Sequence, residues 1–599
     1  MTDSRKVEHF DVIICGCGPT GALLSANLSR LGVKHVVLER EEGITTDPRG
    51  IALDEDGIRI VQGIGKYEEL FTDVGKVMGY FRFIGGGRGL NVKPFLQINY
   101  NTITGGTGHV GFMSHKQPAL EMHLRNAIDK NFGEIREGCT VSSISEDDSF
   151  VYVEYQKKDN TLHRVRGKFL VGADGKTGFT RKKYLEPRGI ILEKSPKFHY
   201  EAVWLGYSPE DVYDLFFPRE FNFICDPSRP AVCGRFGRTE DRLWRFEFVV
   251  KKDEDPQQMA TPEETRKIIF PYLKQPGRRF GLAQDLMWPI DCIECIRSRP
   301  FSFSARSCNR WSLGRVILCG DAAHVFPPFG GQGIASGFRD AISLSWRLKL
   351  AISPSFPNHD LLFRGWYMER KQQLERSLAS TIENGNYCNE ASKFKAFLRN
   401  WYLWLIQLVP SWRYDLELGP RKAGMTRYDY IPGAPFLPDY GGGISFPQVF
   451  AGPIDQPAPA LPIFTDDAIF SKQKRGIFQV VALIDSLEQL QKATYVVHNQ
   501  THQNAEALLL SALPAGATNI VRVIGAKEYK AVGETTEAIA SGFPRPQPLF
   551  YEPNRIYKEL GKDVAFVIVR WDRIVFARCR NLAELKEALS KVEDVLGGK

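Results

Sequence analysis

Apolar residues in this chain fall into short runs, and several of those runs end in glycine-rich turns. Residues 10–14 (FDVII) are a β-rich run that stops at GCGPTG. Residues 22–31 have helical composition and close at Gly32, and residues 33–38 (VKHVVL) form a second run ending at Glu39. Residues 168–171 lead into Gly172-Ala173-Asp174-Gly175. Residues 315–319 lead into GDAAHVFPPFGGQG, after which residues 334–350 predict a helix. Strand, turn and helix in that order predict an α/β fold. Residues 190–300 instead alternate aromatic and polar positions, as in Trp244-Arg245-Phe246-Glu247-Phe248, which predicts strands with one buried face.

The later part of the chain reads differently. Residues 380–415 have helical composition, and residues 401–409 (WYLWLIQLV) are the most apolar stretch there. That stretch falls far short of the roughly 20 residues of a membrane span, so a packed helix is expected. Residues 415–465 are rich in Pro and Gly and read as a linker across a domain surface. Residues 475–599 read as a separate α/β unit. It has a strand at 478–483, a hairpin of 564–569 and 573–578 around Trp571-Asp572, and a closing helix at 582–596.

Composition narrows the classes. A length of 599 residues suggests about three to five domains. With 43% hydrophobic and 25% charged residues the chain is of ordinary globular type. A formal charge of +8 permits anionic ligands without requiring nucleic acid, and no like-charge block supports one. The 11 cysteines are scattered. Cys292 and Cys295 form a C-x-x-C with no second pair at zinc spacing, so no metal site is expected and a reducing compartment is. The N-terminus shows no signal-peptide apolar region. These features predict a soluble, cytoplasmic protein.

Candidate chemistry starts at Gly16, Gly18 and Gly21, a G-x-G-x-x-G between a predicted strand and helix. The first glycine permits the tight turn, the second lets backbone approach a pyrophosphate, and the third lets helix and strand pack closely. The helix amides then face the phosphates. Glu39, 18 residues after Gly21, stands where it can accept hydrogen bonds from ribose hydroxyls. An acid there favours FAD or NAD, although the neighbouring Arg40 could serve a 2′-phosphate or lie beside an adenine.

The G-x-G-x-x-G, the mid-chain Asp174-Gly175 and the later Gly320-Asp321, in that order, resemble the FAD-dependent aromatic hydroxylases of the p-hydroxybenzoate hydroxylase fold. Residues 49–55 (RGIALDE), 115–121 (HKQPALE), 225–230 (CDPSRP) and 329–333 (FGGQG) resemble the 3-(3-hydroxyphenyl)propionate hydroxylase branch. The C-terminal unit resembles the thioredoxin-like domain of phenol hydroxylases, without a C-x-x-C. The resemblance implies a Rossmann-like FAD-binding domain built from residues 1–80, 110–190 and 300–380. It further implies an inserted β-sheet substrate domain of 81–109 and 191–299, a helical segment and linker at 381–465, and a thioredoxin-like domain at 466–599.

By the same resemblance, Asp321 binds the FAD ribityl chain, Asp174 lies near FAD and the nicotinamide path, and Arg49 and Gln117 contact the flavin. Pro328, Gly331, Gln332 and Gly333 cradle its ring. Two positions depart from the family pattern: Gly178 stands where serine is usual, and Ala335 where asparagine is frequent. The implied reaction consumes NADPH or NADH and O₂ and hydroxylates a small aromatic substrate through a C4a-hydroperoxyflavin. Arg235 and Tyr200 are the candidate catalytic residues, from a set that includes His199, Tyr213 and Arg245. His324 is expected to position the loop. Baeyer–Villiger or ring-cleaving oxidation and a non-catalytic flavin scaffold are the alternatives, and a homodimer is expected from base rates.

Overall fold

The computed structural model describes residues 7–46, 50, 52–86, 89–194, 200–201, 216–238, 240–280, 283–289, 293–300, 302–303, 305–326, 331–354, 356, 358–453, 462–471, 476–483, 521–524, 526 and 548–597. The first apolar run is the strand Glu8–Cys15, whose Val12, Ile13 and Ile14 are all buried. Burial on both faces is what a central parallel strand requires. It pairs in parallel with His35–Leu38 on one side and Leu162–Gly172 on the other. Among the described residues it belongs to an eight-stranded sheet, whose main order is Ser312–Leu313, Val316–Leu318, Leu162–Gly172, Glu8–Cys15, His35–Leu38 and Gly133–Arg136. The chain goes to one side of Glu8–Cys15 first and to the other side later. In open parallel sheets such a switch point leaves a crevice at the carboxyl ends of the strands.

Register fixes what meets there. Cys15 lies opposite Gly172, and Gly172 lies opposite Leu318. Three turns that are far apart in sequence, after Cys15, Gly172 and Leu318, therefore leave the sheet side by side. The helix Pro19–Arg30 follows the first, with proline at its start where no amide is needed. The helix Gln332–Ala351 follows the third and packs on Pro19–Arg30.

A second sheet has the order Leu243–Phe248, Ala231–Phe236, Phe221–Ile224, Tyr80–Ile84 and Leu96–Asn99. Phe221–Ile224 runs parallel to Tyr80–Ile84, which joins the two stretches assigned to one domain from sequence. The expectation of a single buried face is corrected here. All six residues of Ala231–Phe236 and of Leu243–Phe248 are buried. One face packs on Phe216, Phe217, Met259 and Trp288, and the other, which carries Phe81 and Phe83, on Tyr100, Phe112 and Leu403. The polar position Glu247 is tolerated inside because it pairs with Arg245. Burial still raises the Glu247 carboxyl above the usual range.

Two further expectations change. Residues 401–409 do not form a packed helix: in Lys393–Ile406, Leu403 is buried, but Trp401 and Trp404 face solvent. Residues 415–465 are more than a surface linker, since Arg421 and Gln448 are buried and Ser445 bridges Ile574. In the C-terminal unit, Phe478–Ala482, Phe566–Arg570 and Val575–Cys579 form an antiparallel sheet followed by the helix Leu582–Gly597. Its core is continuous with that of the first sheet. Trp571 Nε1 donates to Asn27 Oδ1 at 3.2 Å, and Asp466 joins Arg59 and Arg573 in a buried ion cluster. Most of residues 484–547 lie outside the described set.

Candidate active site

Each glycine of the first turn has its own reason. Gly16 has φ +95°, and a Cβ there would lie 2.6 Å from the Ala173 oxygen. A Cβ on Gly21 would run into the Gly16 carbonyl oxygen and sit 3.4 Å from the Ala173 Cβ. Around Gly18 no protein atom lies within 4 Å of a built Cβ. The fold thus demands glycine at 16 and 21, whereas bare backbone at 18 faces open space at a helix N-terminus. That space suits an anionic group. Glu39 turns back on this loop: its Oε2 accepts from Cys17 N at 2.5 Å and its Oε1 from Glu41 N at 2.9 Å. Arg40 is exposed and pairs with Glu41 at 2.8 Å. Gln117 opens the helix Gln117–Asn126 and donates to Glu121 Oε1 at 2.7 Å.

Sequence reasoning missed Arg125. Its guanidinium donates to Cys17 O at 3.2 Å, and its buried Nε has no hydrogen-bond partner among the described residues. The available signal was a cation eight residues into the helix that Gln117 begins.

The second turn holds Asp174. One carboxylate oxygen accepts from Thr180 N at 2.8 Å, and the other is buried without a partner among the described residues. Burial raises the Asp174 pKa, which Thr180 only partly offsets. Gly178 now has a physical reason: a Cβ there would come within 2.5 Å of Asp174 Oδ2. With glycine at 178, the carboxylate occupies the space a serine side chain would need.

The third turn holds Asp321, whose side chain accepts no hydrogen bond from the described residues. It is exposed, yet protein surrounds it on its other sides, as for a residue lining a cleft. Desolvation raises its pKa, opposed by the nearby charges of His324 and Lys176. His324 is buried and bonds Asp340 at 2.7 Å. Asp340 also accepts from Gly320 N at 3.0 Å and Arg370 Nε at 2.8 Å. Burial alone would raise the Asp340 pKa, but His324 and Arg370 hold it below the usual range. This network ties the turn to the helices Gln332–Ala351 and His359–Cys388.

Gly331 adopts φ +61° ahead of the helix that Gln332 starts, and a Cβ on Gly333 would meet nothing within 4 Å. Gln332 Oε1 accepts from Arg339 at 3.0 Å, and Arg339 also pairs with Asp54 and Asp56. The open positions at Gly18 and Gly333, together with the unpaired Asp321 carboxylate, fit an extended dinucleotide lying across all three turns.

Beside Gln332 opens a cavity of about 1510 Å³. Phe81, Leu96, Ile98, Tyr100 and Phe112 form its apolar wall, and Tyr402, Leu403 and Trp412 stand opposite. Arg421, from the stretch read as a linker, reaches this cavity and pairs with half-buried Glu55 at 2.9 Å. Nothing local in a Pro- and Gly-rich stretch signals that placement. Among the described residues, every lysine and arginine that lines the cavity has an acidic partner: Arg339 with Asp54 and Asp56, Arg376 with Asp429, Arg421 with Glu55, Lys422 with Asp415 and Arg427 with Glu559.

Of the two candidate catalytic residues, Arg235 is not brought to this cavity. Arg235 lies on the opposite face of the second sheet, the face of Ala231 and Cys233, and donates to Phe217 O. The alternation of side chains along Ala231–Phe236 decides this. Tyr200 pairs through its backbone with Phe303, and its side chain lies outside the described set. Arg49, Pro328, His199 and Tyr213 are also outside it.

Residues 9–355 match the family model described as an FAD binding domain. Over 418 residues the chain is 26% identical to a 3-(3-hydroxy-phenyl)propionate/3-hydroxycinnamic acid hydroxylase of Escherichia coli, which covers 69% of each protein. Its fold is similar to that of the flavin-dependent monooxygenase PieE in complex with FAD and substrate, with TM-score 0.68 and 19% identity over 99% of both chains. It is also similar to aklavinone-11 hydroxylase with FAD and aklavinone, with TM-score 0.67 and 18% identity over 99% of this chain and 100% of the other. At those identities the two structures speak to the fold.

Proposed function

This chain belongs to the FAD-binding-domain family and is an FAD-dependent monooxygenase, and from that premise we propose that it hydroxylates an uncharged phenolic or polycyclic aromatic substrate at the expense of NADPH or NADH. The observation that carries the reading is the aromatic-walled cavity beside Gln332, at the turn that follows Asp321. FAD, when bound, supplies the redox chemistry that activates O₂.

The protein supplies binding, orientation and exclusion of water. Gly18 and the start of Pro19–Arg30 would hold the pyrophosphate, Glu39 the adenosine ribose, and Asp321 the ribityl hydroxyls. The amides from Gly331 to Gly333 would face the ring edge, where a helix N-terminus favours negative charge. Phe81 and Phe112 give an aromatic substrate apolar surface to pack on. Burial pushes the Tyr100 phenol well above its ordinary value, so the hydroxyl keeps its proton and would be available to donate to a substrate oxygen. Because each lining cation among the described residues is already paired, a substrate carboxylate would meet no unspent positive charge from them. This favours a neutral aromatic here, in contrast to the acid named for the Escherichia coli relative.

The test is a panel of neutral phenols, phenolic acids and polyketide-like aromatics, scored for stimulation of NADPH and NADH oxidation with NMR of the product. A new ring hydroxyl from a neutral substrate is expected. A new ester would mean Baeyer–Villiger insertion instead. Oxidation that no aromatic stimulates would overturn the reading.

A further inference from the structure

The helix Lys393–Ile406 is amphipathic the wrong way round for a helix packed on a protein. Phe394, Phe397, Trp401, Trp404 and Leu408 follow helical spacing through this helix and the turn after it, and all of them are exposed. Phe394 is 70% exposed, Trp401 54% and Trp404 56%. Two polar side chains turn inward instead: Arg399 donates to the Tyr387 carbonyl, and Gln407, at the C-terminal cap, donates to Phe95 O at 2.8 Å. The next helix, Pro410–Leu418, extends the surface with Trp412, 57% exposed. An aromatic-rich face of this size is not a stable boundary with water.

Charge identifies what covers it. Across Lys393–Leu418 stand Lys393, Lys395, Arg399 and Arg413 against Asp415 and Glu417. Arg413 pairs with Glu417 at 2.8 Å and Arg399 turns inward, so the positive charge beside the exposed aromatic face sits on Lys393 and Lys395. A lipid surface with anionic headgroups complements them, and tryptophan at a water–apolar boundary suits the headgroup level. No helix among the described residues is long and apolar enough to cross a membrane, so the pair can lie on a bilayer but not span it.

The same helices form a wall of the cavity, through Tyr402, Leu403, Ile406 and Trp412. We propose that Lys393–Ile406 and Pro410–Leu418 dock the enzyme on anionic membrane surface, and that its neutral aromatic substrate enters the cavity from the lipid between these helices. The entry route rests on the reading of the cavity as the substrate site. The docking does not.

The test uses the full-length, FAD-loaded protein in flotation with vesicles of phosphatidylcholine alone or with phosphatidylserine. The wild type should float with the anionic vesicles, less so at high salt. K393E/K395E alters two exposed side chains that take no part in the cavity, and should weaken partitioning by about thirtyfold or more. W401S/W404S should abolish it while keeping FAD occupancy and turnover of a water-soluble phenol. Wild type that stays free of both vesicle types overturns the proposal, as does unchanged flotation of K393E/K395E. So does a dimer in light scattering that W401S/W404S converts to monomers, because a second copy would then cover the face. A yellow, active enzyme that never floats removes this proposal and leaves the proposed function standing. A protein that floats but takes up no FAD does the reverse.

Discussion

Substituting alanine at Gly18 and at Gly21 separates what the fold needs from what the ligand needs. At Gly21 the added methyl would press on the Gly16 backbone carbonyl, which cannot rotate away as a side chain could. Overpacking of this kind costs about 1–3 kcal/mol. G21A should therefore lower the unfolding temperature of the FAD-free protein by about one to two degrees. At Gly18 the methyl would meet no protein atom within 4 Å, and the backbone angles of −66° and −177° suit any residue. G18A should leave the FAD-free protein within about 1 kcal/mol of wild type, since alanine reduces unfolded-state freedom while being a slightly poorer N-cap. Its methyl would instead occupy space needed by the pyrophosphate. The same overpacking cost, charged to the complex, weakens FAD by roughly fivefold to a hundredfold. The assay is thermal unfolding without FAD, paired with quenching of flavin fluorescence on titration. If G18A binds FAD as tightly as wild type, the placement of the pyrophosphate at this turn is wrong.

Two other perturbations probe separate parts of the fold. D321A should cost FAD about 1.5–3 kcal/mol, roughly tenfold to a hundredfold in affinity, by removing charge-assisted hydrogen bonds; unchanged flavin retention on desalting would refute the ribityl assignment. His35 and His115 are buried, and desolvation lowers each pKa from 6.5 to about 4. Both stay neutral when folded while the unfolded chain protonates first, so their stabilisation is complete above pH 6.5 and is lost as pH falls toward 4. Each shift corresponds to roughly 3 kcal/mol. Chemical denaturation across that window should show the loss, and an H35Q/H115Q variant should show a shallower pH dependence. A wild-type stability that stays flat from pH 7 to 4 would contradict the burial of these rings.

Much of the first sheet was legible because its signals are local. The turn at 16–21 belongs to one strand–turn–helix unit, so spacing along the chain is enough to place it, although the atoms that exclude a side chain at Gly16 are those of Ala173 in the neighbouring turn. The same holds for the strand-ending turns at Asp174 and Asp321, and for the helix after Gly331. Resemblance to a family then told which turns share a ligand. The cavity was not legible, because it is assembled from side chains far apart in sequence. Whether Arg235 faces it depends on a strand's register against its neighbours. A slip of one residue would reverse the outcome, and no feature of residues 231–236 reports that register.

The helix at 393–406 shows the division most plainly. Its sequence determined that a helix with an apolar stripe would form there, since 3.6-residue periodicity is a property of the chain itself. Which way the stripe points was decided by what else needed the space. Tyr387 and Phe95 offer carbonyls that draw Arg399 and Gln407 inward, and the aromatic residues are left outside. Likewise, sequence alone determined a dinucleotide turn at Gly16 to Gly21. Only the parallel pairing of Glu8–Cys15 with Leu162–Gly172, and of that strand with Val316–Leu318, decided that three distant turns form one crevice. Local conformation follows from near neighbours in the chain, whereas a site depends on long-range register, which tertiary packing selects.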